Sequence, residues 1–221
     1  MPLKLYADPG SQPSQAVHYV LKKLEIDFEY VTTLAGEGTK TEEYIKINPL
    51  KKVPAIVHDD FILIESVAII SYLCDSFEKG ETLLPRDDQK QRARVNMWLQ
   101  WNGGELRHNS EKMWYVCLLN HNWLGIPEAS DEVKQKSKEV FFDSLEHLEN
   151  QLAKTEYVSG DSISAADVQI FFEIYITMLA IKLDLSKFAS INKWIQKVME
   201  DPIIKELTEQ SIKSLLERLP E

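Results

Sequence analysis

A mixed α/β domain followed by an all-helical bundle is the fold class this sequence predicts. Two observations carry that expectation. The first third alternates short apolar runs with segments of helical spacing, whereas nothing after residue 88 reads as a strand. The composition also changes near residue 78: Arg is absent before Arg86, and all five Trp (Trp98, Trp101, Trp114, Trp123, Trp194) come after it.

Residues 3–7 (LKLYA) read as a short strand, and DPGSQP (8–13) as a turn into a helix start. Between residues 14 and 24 the apolar positions Ala16, Val17, Val20, Leu21 and Leu24 fall on one helical face, which leaves His18 expected at the helix surface. Residues 28–32 (FEYVT) are a second strand. The resulting β-α-β unit predicts parallel strands with a right-handed crossover. A Gly-rich loop (34–38) and a short helix (41–47) follow. Two apolar runs flanking His58, Asp59 and Asp60 signal a hairpin. Ser66 then reads as the N-cap of a helix over VAIISYLCDSF. The order β-α-β, then β-β-α, is that of the thioredoxin-like fold.

EKGETLLPRDD (78–88) has the Gly, Pro and charge of a linker. Beyond it, helical spacing covers residues 89–119, 130–153, 164–181, 190–199 and 203–219, and Ser164-Ala-Ala-Asp167 is a capping-box variant. The expected domains are therefore 1–77, α/β thioredoxin-like, and 89–221, an all-α helical bundle, joined by 78–88.

Composition narrows the function. The chain has 221 residues and a formal net charge of −10. The first 77 residues carry −4 of that, so neither part has the clustered Lys and Arg that polyanion binding needs, and no nucleic-acid partner is expected. No apolar run reaches the roughly 18–20 residues of a membrane span, and the N-terminus lacks a secretory pattern, so no membrane association is expected. Cys74 and Cys117 are far apart in apolar helical context; they suit two buried free thiols in a reducing cytoplasm and exclude a zinc site on count.

Three local features carry chemistry. Ser11 lies between the first strand and the first helix, where backbone N–H groups and the helix dipole favour anions; the plainer alternative is a capping or turn serine. Val53-Pro54 precedes a short strand, where a cis bond would turn the preceding backbone polar groups toward a peptide ligand; a trans proline opening a strand is the alternative. Glu65-Ser66 opens a helix, so that a carboxylate and a hydroxyl could receive an amino-acid head group, or simply cap the helix.

SQPSQAV, NPLKKVPAI and ESVAIISYL (11–17, 48–56 and 65–73) together resemble the cytosolic glutathione transferases, most of all their theta class, and RARVNMWLQW (92–101) and SISAADV (162–168) fit that family's helical domain. The resemblance implies an enzyme that uses glutathione as co-substrate, needs no metal, conjugates the thiolate to small hydrophobic electrophiles, and forms a cytoplasmic homodimer. By position it implies Ser11 as the catalytic residue, its hydroxyl donating a hydrogen bond to the glutathione thiolate. It assigns glutathione contacts to Gln12, Lys40, Lys52, the Val53 backbone, cis-Pro54, Glu65 and Ser66. An electrophile pocket between the domains would draw on Arg107, Met113, Trp114 and Cys117, for which bundle core, or for Arg107 a solvated surface, is the alternative. The sequence departs from theta enzymes at Thr39, where His is common, and at Gln15, where Arg is common. Its end at Glu221, short of mammalian theta enzymes, implies a more open pocket.

Two further readings compete. A non-catalytic transferase-fold module for assembly or ligand carriage would not need Ser11, Val53-Pro54 and Glu65-Ser66 together. A glutathione-dependent thiol oxidoreductase would need a cysteine within residues 8–16, and there is none.

Overall fold

The computed structural model describes residues 3–119 and 127–218. The chain forms two compact units: one holds the residues up to Arg92 together with Asp201–Glu217, the other Ala93–Glu200.

The first unit is built on a four-stranded sheet of order β2-β1-β3-β4, with β1 Leu3–Ala7, β2 Phe28–Thr32, β3 Ala55–His58 and β4 Phe61–Ile64. β1 and β2 pair in parallel through the crossover helix α1 (Gln12–Lys23), as the sequence order requires. β3 runs antiparallel to β1, and β3 and β4 form the expected hairpin around Asp59-Asp60. Leu3, Leu5 and Ala7 are buried while Lys4 and Tyr6 are less so, the period-2 signature of a strand with one face on a core. α2 (Glu42–Ile47) is capped by Thr41, whose hydroxyl accepts from Tyr44 N–H at 3.3 Å.

α3 (Ser66–Ser76) begins one residue differently from expectation: Glu65 takes the cap position and Ser66 is the first helical residue. The segment 78–88 folds back on the first unit. A 3-10 turn, Glu78–Thr82, brings Gly80 so close to Cys74 that an added Cβ would sit 2.1 Å from the Cys74 carbonyl oxygen.

α1 packs against both α3 and the last helix, α9 (Pro202–Leu216). His18, expected at the surface, is instead 9% exposed, with its ring against Phe28 and Tyr30 of β2. The apolar spacing of residues 14–24 marks one face of α1, but the helix is buried on more than that face.

α4 (Gln89–Trp101), whose residues from Ala93 belong to the second unit, leads through a π-helical turn (Asn102–Leu106) into α5 (Arg107–Trp114) and a second π-helical turn (Tyr115–Leu119). α6 (Asp131–Leu152), α7 (Ala165–Ala180) and α8 (Ala189–Val198) complete the bundle. α7 is buried almost all round through Ile174, as a central bundle helix must be. Near its start Asp167 accepts from Val158 N–H (2.8 Å), Ser164 N–H (2.9 Å), Ser164 Oγ (2.7 Å) and Trp194 Nε1 (3.0 Å), so the capping signal read in the sequence is also a polar centre of the core. Of the two thiols expected to be buried, Cys74 is, whereas Cys117, in the second π-helical turn, is exposed.

Burial, aided by the Lys22 charge and opposed by Glu206, lowers the His18 pKa from 6.5 to about 4. Between those values the unfolded chain binds a proton that the folded chain does not, so stability rises with pH and is lost as pH falls from about 6.5 to about 4. We expect His18→Leu to shrink the wild-type loss of unfolding free energy between pH 7 and pH 4.5 by about 2–3 kcal/mol, read by urea titration at both pH values.

Candidate active site

The sheet register gathers the residues of interest. Ala7 ends β1 opposite Thr32, which ends β2. Tyr6 lies opposite Ala55, the first residue of β3, and Ala55 lies opposite Ile64, the last of β4. Four segments therefore leave or enter the sheet at one end: the turn 8–11 after β1, the loop 33–41 after β2, Lys52-Val53-Pro54 before β3, and Glu65-Ser66 after β4. Each sequence-predicted residue of the first unit belongs to one of these segments or to the first turn of α1.

Ser11 occupies the N-cap position of α1 with extended backbone (φ −90°, ψ 121°), and its side chain makes no capping hydrogen bond. The capping role offered as its plainer alternative is thus not the one it plays. Gln12 and Pro13 open the helix, proline being pre-set for a first turn. The turn is held by Asp8, a residue the sequence reading passed over. Its buried carboxylate accepts from Gly10 N–H (2.8 Å) and, across to the next loop, from Ala35 N–H (2.9 Å), while its carbonyl accepts from Ser11 N–H (3.0 Å). The only available signal was an Asp directly after a strand and before Pro-Gly, a common turn pattern.

Val53-Pro54 is a cis peptide bond. Val53 stands outside the ladder, which starts at Ala55. Its approach is fixed one residue earlier, where the Lys52 carbonyl accepts from Tyr44 Oη (2.6 Å) and Asn48 Nδ2 (2.7 Å). Lys52 and Lys40 are exposed, and Lys40 closes a 3-10 turn, Gly38–Lys40, beside the Asp8-bound loop. Thr39 is buried, with its hydroxyl accepting from Gly36 N–H at 3.2 Å, so at this position the side chain builds the loop.

Glu65 has φ 71° and ψ 111°, outside the left-handed helical region and rare for any residue with a Cβ. A conformation of this kind costs about 1–3 kcal/mol and concentrates at ligand clamps and active sites. The side chain is exposed, and its carbonyl accepts from Ile69 N–H (2.9 Å), starting α3.

The residues named for the electrophile pocket lie in the second unit, with differing environments. Met113 is 2% exposed and belongs to the bundle core. Trp114 is partly buried, its indole donating to Thr177 Oγ1 at 2.9 Å. Cys117 is exposed. Arg107 is not a solvated arginine: it donates to Glu173 at 2.8 Å and to Glu111 at 2.9 Å. Burial works against its charge, and the two carboxylates more than compensate, raising its pKa. Glu173, 1% exposed, also accepts from Ser110 Oγ. Among the described residues no group of His, Cys, Asp and Glu is placed to hold a metal, and no helix is long and apolar enough to cross a membrane.

A thioredoxin-like domain that turns a serine, a cis-proline segment and a strained acidic residue toward one sheet end, in a chain that also carries a helical bundle, has the architecture of a glutathione transferase. Residues 1–75 match the glutathione S-transferase N-terminal domain and residues 111–202 its C-terminal domain, and the chain belongs to that family. It is 30% identical over 217 residues to the dichloromethane dehalogenase of Methylorubrum extorquens, covering 94% of this chain and 74% of that protein. To mouse glutathione S-transferase theta-3 it is 33% identical over 176 residues, 79% of this chain and 72% of the relative. Among solved structures, human glutathione-S-transferase T1-1 in its apo form superposes with a TM-score of 0.87 at 28% identity, covering 97% of this chain and 90% of that one.

The Arg107–Glu173 pair predicts the outcome of a substitution. Arg107→Met strands a buried carboxylate and is expected to destabilise the protein by about 3–5 kcal/mol, measured by thermal or urea unfolding. Unchanged stability with a raised KM for the electrophile would instead assign Arg107 to substrate.

Proposed function

We propose that this chain is a theta-like, serine-type glutathione transferase in which Ser11 Oγ donates a hydrogen bond to the glutathione sulfur and holds it as a thiolate. The observation that carries this reading is the uncapping position of Ser11: a hydroxyl at a helix N-terminus that does not bond its own helix, at the sheet end shared with Val53-Pro54 and Glu65-Ser66. In this reading the Val53 backbone pairs with the cysteinyl unit, Glu65 and Ser66 take the γ-glutamyl head group, Lys40 and Lys52 meet the glycyl carboxylate, and Gln12 lies beside the thiol. The residues fit the ligand: a strained carboxylate and a hydroxyl at the start of α3 for an α-amino acid, and exposed lysines for the opposite carboxylate.

The magnitudes are sufficient. A free thiol with pKa about 8.5 is only about 3% thiolate at pH 7. Lowering the pKa by two units needs about 2.7 kcal/mol. A hydrogen bond to an ionised partner contributes roughly 1.5–3 kcal/mol, and a helix N-terminus roughly 0.3–1. The thiolate then attacks an electrophilic carbon, a C–S bond forms, and a halide or other leaving group departs with its electron pair. Ser11 keeps its proton throughout.

The likeness to a dichloromethane dehalogenase supports small haloalkanes as one electrophile class. A homodimer is supported by Phe61 and Ile62, each 44% exposed on β4, the edge strand of the sheet. Free Cys74 and Cys117 and reliance on reduced glutathione suit a cytoplasmic setting.

Ser11→Ala is expected to abolish the ultraviolet absorbance of enzyme-bound thiolate and to lower kcat about 10²-fold at neutral pH, the loss of roughly 2–3 kcal/mol. Turnover should be assayed with dichloromethane, an aryl halide, an organic hydroperoxide and an isothiocyanate. Wild-type absorbance and turnover in the variant would overturn the serine assignment and direct attention to Ser14. Glutathione binding without turnover of any substrate would favour a carrier or assembly module.

A further inference from the structure

The helix that begins at Ser11 is fastened along its length to the last helix of the first unit. At its C-terminal half, Tyr19 Oη donates to Asp201 at 2.9 Å, Lys23 reaches the same carboxylate at 2.7 Å, and Lys22 reaches Glu206 at 2.6 Å. These bonds tie helix to helix. At the N-terminal half the connection goes further. Gln15 Nε2 donates to Ser211 Oγ on α9 at 2.8 Å and to the Pro9 carbonyl at 2.6 Å, while Ser211 Oγ donates to the Leu207 carbonyl at 2.9 Å.

We propose that Gln15 and Ser211 are positioning residues for Ser11, α9 holding the turn that carries the serine through a relay from the Ser211 hydroxyl to the Gln15 amide to the Pro9 carbonyl. The inference rests on the assignment of Ser11 as the hydrogen-bond donor to the glutathione thiolate.

Three features point to positioning rather than plain packing. The amide orientation is determined, because the Pro9 carbonyl can only accept, so the nitrogen must face it. The two short contacts use both amide hydrogens; the Leu207 carbonyl, at 3.4 Å, is a distant third acceptor. That orientation leaves Gln15 Oε1 buried with no hydrogen-bond partner. A stranded acceptor costs about 1–3 kcal/mol, a penalty that a leucine or methionine filling the same space would not incur. The return on the polar group is the fixed Pro9 carbonyl. Asp8 secures the same turn from its other side through Gly10 N–H and Ser11 N–H. Since the Ser11 hydroxyl makes no bond to its own helix, its position follows from that of the turn backbone.

The test compares Ser211→Ala and Gln15→Met with Tyr19→Phe, which cuts an α1–α9 bond that does not continue to the turn. For each, the pH titration of bound-thiolate absorbance, kcat and KM for glutathione, and the melting temperature are measured on the full-length protein, with Ser11→Ala alongside. The expected result is a thiol titration displaced upward by about half a unit to one unit and a kcat reduced about five- to tenfold at neutral pH in the two relay variants, with KM for glutathione within twofold of wild type. Tyr19→Phe should lower the melting temperature and leave the titration in place. The relay falls if the thiol titration and kcat in Ser211→Ala match wild type while Ser11→Ala loses the thiolate. It also falls if Tyr19→Phe displaces the titration as far as the relay variants do. Should Ser11→Ala itself retain the thiolate, the underlying serine assignment fails instead. Ser211→Ala removes one buried oxygen and decides the matter if Gln15→Met does not fold.

Discussion

The candidate site depends on one pairing: β1 against β3, with Tyr6 opposite Ala55. Because these strands are antiparallel, the end of β1 and the beginning of β3 meet, and the turn to Ser11 leaves where Lys52-Val53-Pro54 arrives. A slip of one residue would turn Leu3, Leu5 and Ala7 out of the core, so the buried face sets the register strongly. A slip of two would keep the pattern but carry Val53 about 6.5–7 Å along the strand and change its spacing from Ser11 by two residues. Apolar burial, a force with no direction of its own, thereby fixes the spacing of polar groups that never enter the core.

A comparison of hydroxyl groups at helix starts separates function from structure in this chain. Thr41 accepts from Tyr44 N–H, Ser130 from Val133 N–H, and Ser164 is locked to Asp167. Each serves its own helix. Ser11, at the same kind of position, does not. The buried carboxylates divide similarly. Asp167 and Glu173 are surrounded by donors within the second unit and hold its core together. Asp8 uses its oxygens to bring two loops of the first unit into register, and Glu65 keeps a backbone conformation that nothing in helix formation requires. Cost without local structural return, at two places on one sheet end, is the pattern expected where a ligand completes the arrangement.

Much of this was legible in the sequence because it rests on local rules. Alternation in residues 3–7, the apolar spacing after Ser14, the hairpin at Asp59-Asp60 and the Ser164–Asp167 box each encode an element within a few residues, and all are present in the fold. Ser11, Val53-Pro54 and Glu65-Ser66 could be singled out, yet each had an equally ordinary structural reading; only the resemblance over the whole chain joined them. What local rules missed is what depends on distant partners. His18 looks like a surface residue until the sheet brings Phe28 and Tyr30 of β2 against its ring. Arg107 looks solvated until Glu173 on another helix is known. Asp8 resembled any turn residue until Ala35 N–H was seen on its other oxygen.

Electrostatics acts on the same arrangement of turns and helix starts. The chain is strongly acidic, at −10, and a thiolate tripeptide is an anion, so the long-range field opposes binding. The sheet end also carries groups that favour an anion. The N-termini of α1 and α3 point their partial positive charge there, and Lys40, Lys51 and Lys52 are all exposed on the segments that border it. Within a Debye length of about 8 Å at physiological salt such near groups act on the ligand with little screening, whereas charges farther away are largely screened. A site of this kind attracts its ligand by arrangement rather than by total charge, and that arrangement is only as good as the turns that aim it. The sulfur needs a donor within hydrogen-bond distance, and a displacement of 1 Å would forfeit most of that interaction. The rigidity of the Asp8–Ser11 turn therefore bears on the chemistry as directly as the serine itself.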